Sequence, residues 1–182
     1  LLKFEARFGF KIDQKTVTAL SKCIHEIVKS SPARVLEEIL RMLESGAAEP
    51  FFRLMSSSGL LELLFPCLDH FIKGNHSEDV FKLLNAADRH NLANGRKPID
   101  RAILISCLLF PILEREVETL YTKKDIIPNF GEILMATSSL IKGIVISSFS
   151  HFPKKLSSDA GYIMSAQYRL TPIGGRRHQR AR

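Results

Sequence analysis

Cysteine is scarce in this chain: Cys23, Cys67 and Cys107 are the only three among 182 residues. An odd number at wide spacing speaks against a disulfide framework, and with no CxxC pair a zinc knuckle is disfavoured too. Each lies among apolar residues and is expected as a small buried hydrophobe in a reducing compartment. Long apolar runs are also missing. The longest, Ala102 to Leu113, is interrupted by Ser106 and Pro111 and falls short of the roughly 20 residues that span a bilayer. Leu1 to Phe10 carries charges throughout and is no signal peptide. The histidines are scattered, none paired at i, i+4. His25 lies beside an apolar stripe and reads as structural, while His70, His76 and His90 lack cysteine partners, so no metal or triad reading survives. Ile144-Val145-Ile146 is the one β-branched triplet, and no period of 20–50 residues repeats, which disfavours strands and solenoids.

What is present fits a folded protein. Hydrophobic content of 45% with 25% charged residues is ordinary for a globular chain. The length suits one domain, or a domain plus a short neck, able to bury roughly 70% of its unfolded surface. A Leu at the first position and an RRHQRAR ending without a helix terminator are expected of a fragment or a processed chain. The net charge of +7 is uneven, because residues 121–182 hold ten basic and three acidic side chains. That asymmetry points to a polyanionic partner, most simply nucleic acid; a solvated basic surface is the alternative.

The apolar spacing is helical almost throughout. Leu1, Phe4 and Phe8 read as a helix end terminated by Gly9. Asp13 is placed to cap the next helix, striped by Val17, Leu20, Ile24, Ile27 and Val28. At Ser31-Pro32 a hydroxyl is expected to accept an orphan amide, and proline at the first helical position loses nothing. Val35, Leu36, Ile39, Leu40 and Leu43 then line one face as far as Gly46. Glu49-Pro50 starts a short helix that Gly59 stops, and Leu60 to Phe65 forms an apolar turn ended by Pro66. Ser77 is expected to cap a helix carrying Val80, Phe81, Leu84 and Ala87. After an Asn94-Gly95 turn, Pro98 opens a long apolar helix kinked at Pro111. Pro128 begins another, with Ile133, Leu134, Thr137, Ile141, Ile144 and Val145. Asp159 is expected to cap the last, with Tyr162, Ile163, Ala166 and Leu170, ended by Pro172 and Gly174-Gly175. The fold class is therefore all-α, an irregular bundle of eight or so helices.

Two short stretches carry more than fold. Arg7-Phe8-Gly9-Phe10 ends a helix in a basic residue and a Gly-Phe turn, and Ser31-Pro32 opens a later helix with Arg34 and Glu38 one turn apart. This order resembles the neck of the class II nucleotidyltransferases, the bacterial-type poly(A) polymerases and tRNA CCA-adding enzymes. The resemblance is strongest over residues 1–46, persists in EPFFRLMSSSGLLELLFPCL and is thinner through the middle. It implies a neck over 1–46 and a helical C-terminal body with a basic end over 47–182. YRLTPIGGRRHQRAR resembles a segment joining consecutive helices in the poly(A) polymerase branch. The whole looks closest to plant members, which implies an organelle (chloroplast or mitochondrion), with a bacterial cytoplasm as the alternative.

Nucleotidyl transfer needs carboxylates that hold two divalent metals. In the resembled family they follow a Gly-Ser turn as Asp-x-Asp, and this chain has neither. Glu114 and Glu116 diverge on a helix, as do Glu37 and Glu38. No catalytic residue and no metal ligand is assigned. The resemblance implies a catalytic head upstream of Leu1, with Mg²⁺ and ATP, or CTP as well, used by the full-length enzyme and no activity in this chain alone. The partners implied are an RNA 3′ end, from tRNA or another RNA, and the chain's own N-terminal head; no membrane partner is expected.

By spacing alone, Arg34 and Glu38 form an exposed i, i+4 ion pair. By resemblance, Arg34, Glu38 and Arg41 brace the neck. Ala33 stands where many members carry an acidic residue. Lys3 stands where members typically carry Arg and is the nucleotide-proximal candidate; Arg7 is the phosphate-contact candidate. At the other end Arg176, Arg177, Arg180 and Arg182 crowd into seven residues, adjoined by Lys154, Lys155 and Arg169, a set suited to phosphates irrespective of sequence. Tyr162 and Tyr168 are placed either to stack bases or to sit in the core beside a solvated tail. A helical RNA- or protein-binding scaffold without an associated enzyme is the competing reading.

Overall fold

The computed structural model describes residues 1–94, 98–124, 128–146, 148–149 and 152–170, and each described element is helical. In order these are α1 (Leu2–Phe8), α2 (Gln14–Cys23), α3 (Pro32–Glu44), α4 (Ala48–Ser57), α5 (Leu60–Leu64), α6 (Pro66–Phe71), α7 (Ser77–Ala93), α8 (Arg101–Lys124), α9 (Phe130–Ile141) and α10 (Lys154–Leu170). A 3₁₀ turn (Ile24–Lys29) follows α2, and π-turns follow α6 (Ile72–His76) and α9 (Lys142–Ile146). The all-α irregular bundle expected from the apolar spacing is the observed fold.

α8 is its axis, with α7, α9 and α10 packed around it and α3 against it. Leu104, Leu108, Leu109 and Leu113 are all buried. They fall on more than one side of the helix, so a segment enclosed in this way has no polar stripe to show. α4 lies between α1 and α7, with Phe52 and Met55 fully buried. α1 contributes Leu2 and Ala6 to the same core. Residues on both sides of Gly46 therefore share one packing unit.

The α3–α4 joint is held from α7. Gly46 turns the chain at φ 75°, where a methyl group would come within 2.9 Å of the Leu92 side chain, so glycine is needed for both conformation and space. α4 has no side-chain cap of its own. Instead, Asp88 of α7 accepts the Ala48 N–H through Oδ1 and the Glu49 N–H through Oδ2, each at 2.8 Å. One turn later on α7, Asn91 donates to the Leu43 and Glu44 carbonyls at 3.4 Å and accepts the Ile99 N–H at 2.8 Å. Two buried polar side chains thus tie the end of α3, the start of α4 and the entry to α8 to one helix.

Several local expectations are corrected. Ser31 precedes α3, but its hydroxyl makes no capping bond; its carbonyl receives the Arg34 and Val35 amides at 3.0 and 3.1 Å. Ser77 is the first residue of α7 but not its cap, because its backbone is helical (φ −58°, ψ −41°) and a cap needs an extended one. α6 and α7 are therefore joined through the π-turn. Asp159 lies inside α10, which starts at Lys154, with the Pro153 carbonyl accepting the Ser157 amide at 3.1 Å. Asp100, not Pro98, caps α8, accepting the Ala102 N–H at 2.8 Å. At α9 the cap is Asn129 in a capping box with Glu132.

Cys23 and Cys67 are exposed and Cys107 is half-buried. Apolar neighbours in sequence did not make a core around Cys23, since α2 buries no residue fully. Burial pushes the Cys107 thiol up. Val17, Val28 and Leu134 are likewise exposed. Asp13 caps α2 as expected, accepting the Lys15 and Thr16 amides at 3.0 and 3.2 Å. Gly95, Pro172 and Gly174-Gly175 lie outside the described residues.

Candidate nucleic-acid interface

α1 ends where the sequence suggested. Gly9 adopts a left-handed φ of 68° and its N–H reaches the Glu5 carbonyl at 2.8 Å, the usual role of a glycine past a helix C-terminus. That turn sets Phe10 beside Phe8, with ring centroids 5.6 Å apart, and Phe8 is stacked 6.3 Å from Phe4. The Arg7 guanidinium lies 5.3 Å from the Phe8 ring centroid and the Lys3 ammonium 5.8 Å from that of Phe4.

Lys3 also donates to Glu38 Oε2 at 2.8 Å, tying α1 to α3. Arg41 reaches Glu38 at 3.5 Å and donates to Glu37 at 3.2 Å. The hydrogen bond from Lys3, followed by the surrounding positive charge, holds the Glu38 carboxyl below the usual range. Lys3, Glu38 and Arg41 thus belong to one network. Arg34 stands outside it: the i, i+4 pair with Glu38 does not form, because Glu38 is taken by Lys3. Arg34 is exposed at the rim of a cavity of about 570 Å³ between α1, α2, the Ile24–Lys29 turn, α3, α4 and α5, walled by Leu20, Ile24, Ile27, Met42 and Met55.

The strongest brace of α3 is one the spacing did not reveal. Arg101, at the start of α8, donates to both oxygens of Glu37 at 2.9 and 3.1 Å and to both oxygens of Glu44 at 2.7 and 3.0 Å. A guanidinium fork suits two carboxylates in this way, whereas an ammonium does not. Glu44 first and Glu37 second push the Arg101 pKa up, and the Arg101 hydrogen bond is the main cause that lowers the Glu37 carboxyl. The signal available in sequence was Glu37 and Glu44 seven residues apart, two turns along the same helix edge. Adjacent Glu37 and Glu38 do diverge: one faces α8 and the other α1.

At the far end, Arg169 lies with its guanidinium 3.9 Å from the Phe130 ring centroid. Lys154 and Lys155 begin the helix that Arg169 ends, so α10 holds them about 20 Å apart. Tyr162 is 69% exposed, whereas Tyr168 is 7% exposed and packs on Phe110 at 6.0 Å between centroids. Tyr168 follows the buried Ala160 and Met164 at i+4 steps, so it belongs to the inward face and stacks no base. Arg176, Arg177, Arg180 and Arg182 lie outside the described residues.

Residues 9–72 match the family model described as the probable RNA and SrmB-binding site of polymerase A. The CCA-adding enzyme of Blochmanniella floridana is 31% identical over 102 residues, which is 55% of this chain and 23% of that protein. The CCA-adding enzyme of Blochmanniella pennsylvanica (strain BPEN) is 33% identical over 70 residues, 37% of this chain and 17% of that one. Residues 9–72 are thus similar to the probable RNA-binding region of polymerase A, and the chain to CCA-adding enzymes. The chain spans less than a quarter of the length of these relatives. No solved structure matches it.

The matched segment begins at the Gly9 turn and runs just past α6, so it includes most walls of the apolar cavity and every acidic partner in the two ion-pair networks on α3. Arg101, which braces α3, comes from beyond the matched segment. Among the described residues no three His, Cys, Asp or Glu side chains gather where they could hold a metal ion. No described helix is long and apolar enough to cross a membrane.

Proposed function

We propose that this chain is the RNA-facing part of an enzyme that adds nucleotides, AMP or CMP and AMP, to an RNA 3′ end. The match of residues 9–72 to the family described as the probable RNA and SrmB-binding site of polymerase A supports the reading. The catalytic head, with Mg²⁺ and bound ATP or CTP, is the partner this neck serves. Lys3, Glu38 and Arg41 fix α1 against α3, and Arg101 fixes α3 against α8. The neck is thereby held rigid, as positioning an RNA end requires. Arg7 and Arg34, free of acidic partners among the described residues, are assigned to phosphates, together with Arg169 and the basic end.

Incubating the chain with labelled ATP, Mg²⁺ and single-stranded RNA tests this. The expected result is RNA retained by the protein but not extended. Labelled product above a no-protein control would contradict the division of labour between head and neck. Failure to retain RNA would favour a protein-binding scaffold.

A further inference from the structure

We propose that Phe4, Phe8 and Phe10 form a stacking ladder for the bases of single-stranded RNA; this rests on reading the neck as RNA-facing. The three rings are 50%, 54% and 64% exposed, an unusual state for consecutive aromatic side chains in contact with one another. Leu2 and Ala6 turn to the core from α1. At 100° per residue, Phe4 and Phe8 fall on the opposite face of that helix. Within the described residues they point outward by register.

The charges around the rings select the occupant. Each phenylalanine adjoins a cation in sequence, as Lys3-Phe4, Arg7-Phe8 and Phe10-Lys11, and Glu5 is the one acid among the first twelve residues. Lys3 is engaged by Glu38, which leaves Arg7 and Lys11 for a ligand. A protein partner would have to desolvate these cations at the centre of its interface, where charge is normally depleted. A single strand offers π-faces to the rings and phosphates to Arg7 and Lys11, the combination that sequence-tolerant single-strand sites use. Duplex RNA keeps its bases stacked internally and presents no face to the ladder.

The sequence contains no tryptophan, so Phe8→Trp places a single reporter in the ladder of the whole chain. Oligo(A) of ten nucleotides is expected to quench its fluorescence, and an abasic oligomer of the same length is not. Phe8→Ala with Phe10→Ala should weaken oligo(A) binding about tenfold or more, leaving the abasic oligomer's affinity unchanged. Arg7→Ala should weaken both and flatten the log–log salt slope by about 0.7. Oligo(A) bound with no quenching and with wild-type affinity in the double variant would overturn the ladder while leaving the RNA-facing neck intact. So would a dimer of the wild type that the double variant dissolves without changing its RNA affinity. Wild-type protein that binds neither oligomer would instead overturn the neck reading itself, and the ladder with it.

Discussion

Asp88→Ala is expected to destabilise the protein by about 2–4 kcal/mol. The change strands the Ala48 and Glu49 amides, now satisfied at 2.8 Å each, and a buried donor left unpaired costs about 1–3 kcal/mol. Burial pushes the Asp88 carboxyl up, against the pull of those two amides. Asp88→Asn keeps one acceptor but turns an amide donor toward the second N–H, so it should recover about half the loss. Urea unfolding followed by circular dichroism measures both; a change below about 0.5 kcal/mol for Asp88→Ala would show that α4 needs no cap from α7.

Arg101→Ala should cost about 1–2 kcal/mol. The guanidinium binds Glu37 and Glu44 through four hydrogen bonds of 2.7–3.1 Å, which in a dry interior would be worth more. The side chains are 35%, 41% and 25% exposed, and solvent screens such pairs. Arg101→Lys should restore less than half, since an ammonium cannot fork between two carboxylates. Arg34→Ala, with no ion pair to lose among the described residues, should change stability by less than about 0.5 kcal/mol. The pH dependence has a fixed sign. Arg101 lowers the folded-state pKa of Glu37, so the stability linked to that group is full above the ordinary glutamate range. It is lost as pH falls through the lowered value. The gap between wild type and Arg101→Ala should therefore narrow in acid; a gap constant from neutral pH down to about 3 would place the Arg101 contribution in packing and not in charge.

The fold was largely legible because its signals are local. Gly9, Asp13 and Gly46 each mark a turn or cap through their own backbone chemistry, and the stripe of Leu36, Ile39, Leu40 and Leu43 is a single-helix property. What escaped was tertiary. α4 is capped by a carboxylate forty residues away, and Ser77 looks like a cap only until the π-turn before it keeps the backbone helical. In the neck, Arg34 and Glu38 had the spacing of a pair, but Lys3 lies closer to Glu38 because α1 packs beside α3. Arg101 could not be linked to Glu37 and Glu44 from spacing, since the bond spans 64 and 57 positions. The ladder was visible as residues but not as a surface: only the packing of Leu2 and Ala6 shows which face of α1 is left open.

The most direct measurement of the central claim is the affinity of this chain for two unrelated single-stranded RNAs across a range of salt. Arg7, Arg34 and about three of Arg176, Arg177, Arg180 and Arg182 contacting phosphates would give a slope near −3.5 in log affinity against log salt, at about −0.7 per phosphate. Both sequences should follow that line with affinities within a few-fold of each other. Replacing the four terminal arginines by Ala should bring the slope to roughly −1.4 for both. A wild-type slope near zero, or binding confined to one of the two sequences, would contradict a neck that holds an RNA end by its phosphates.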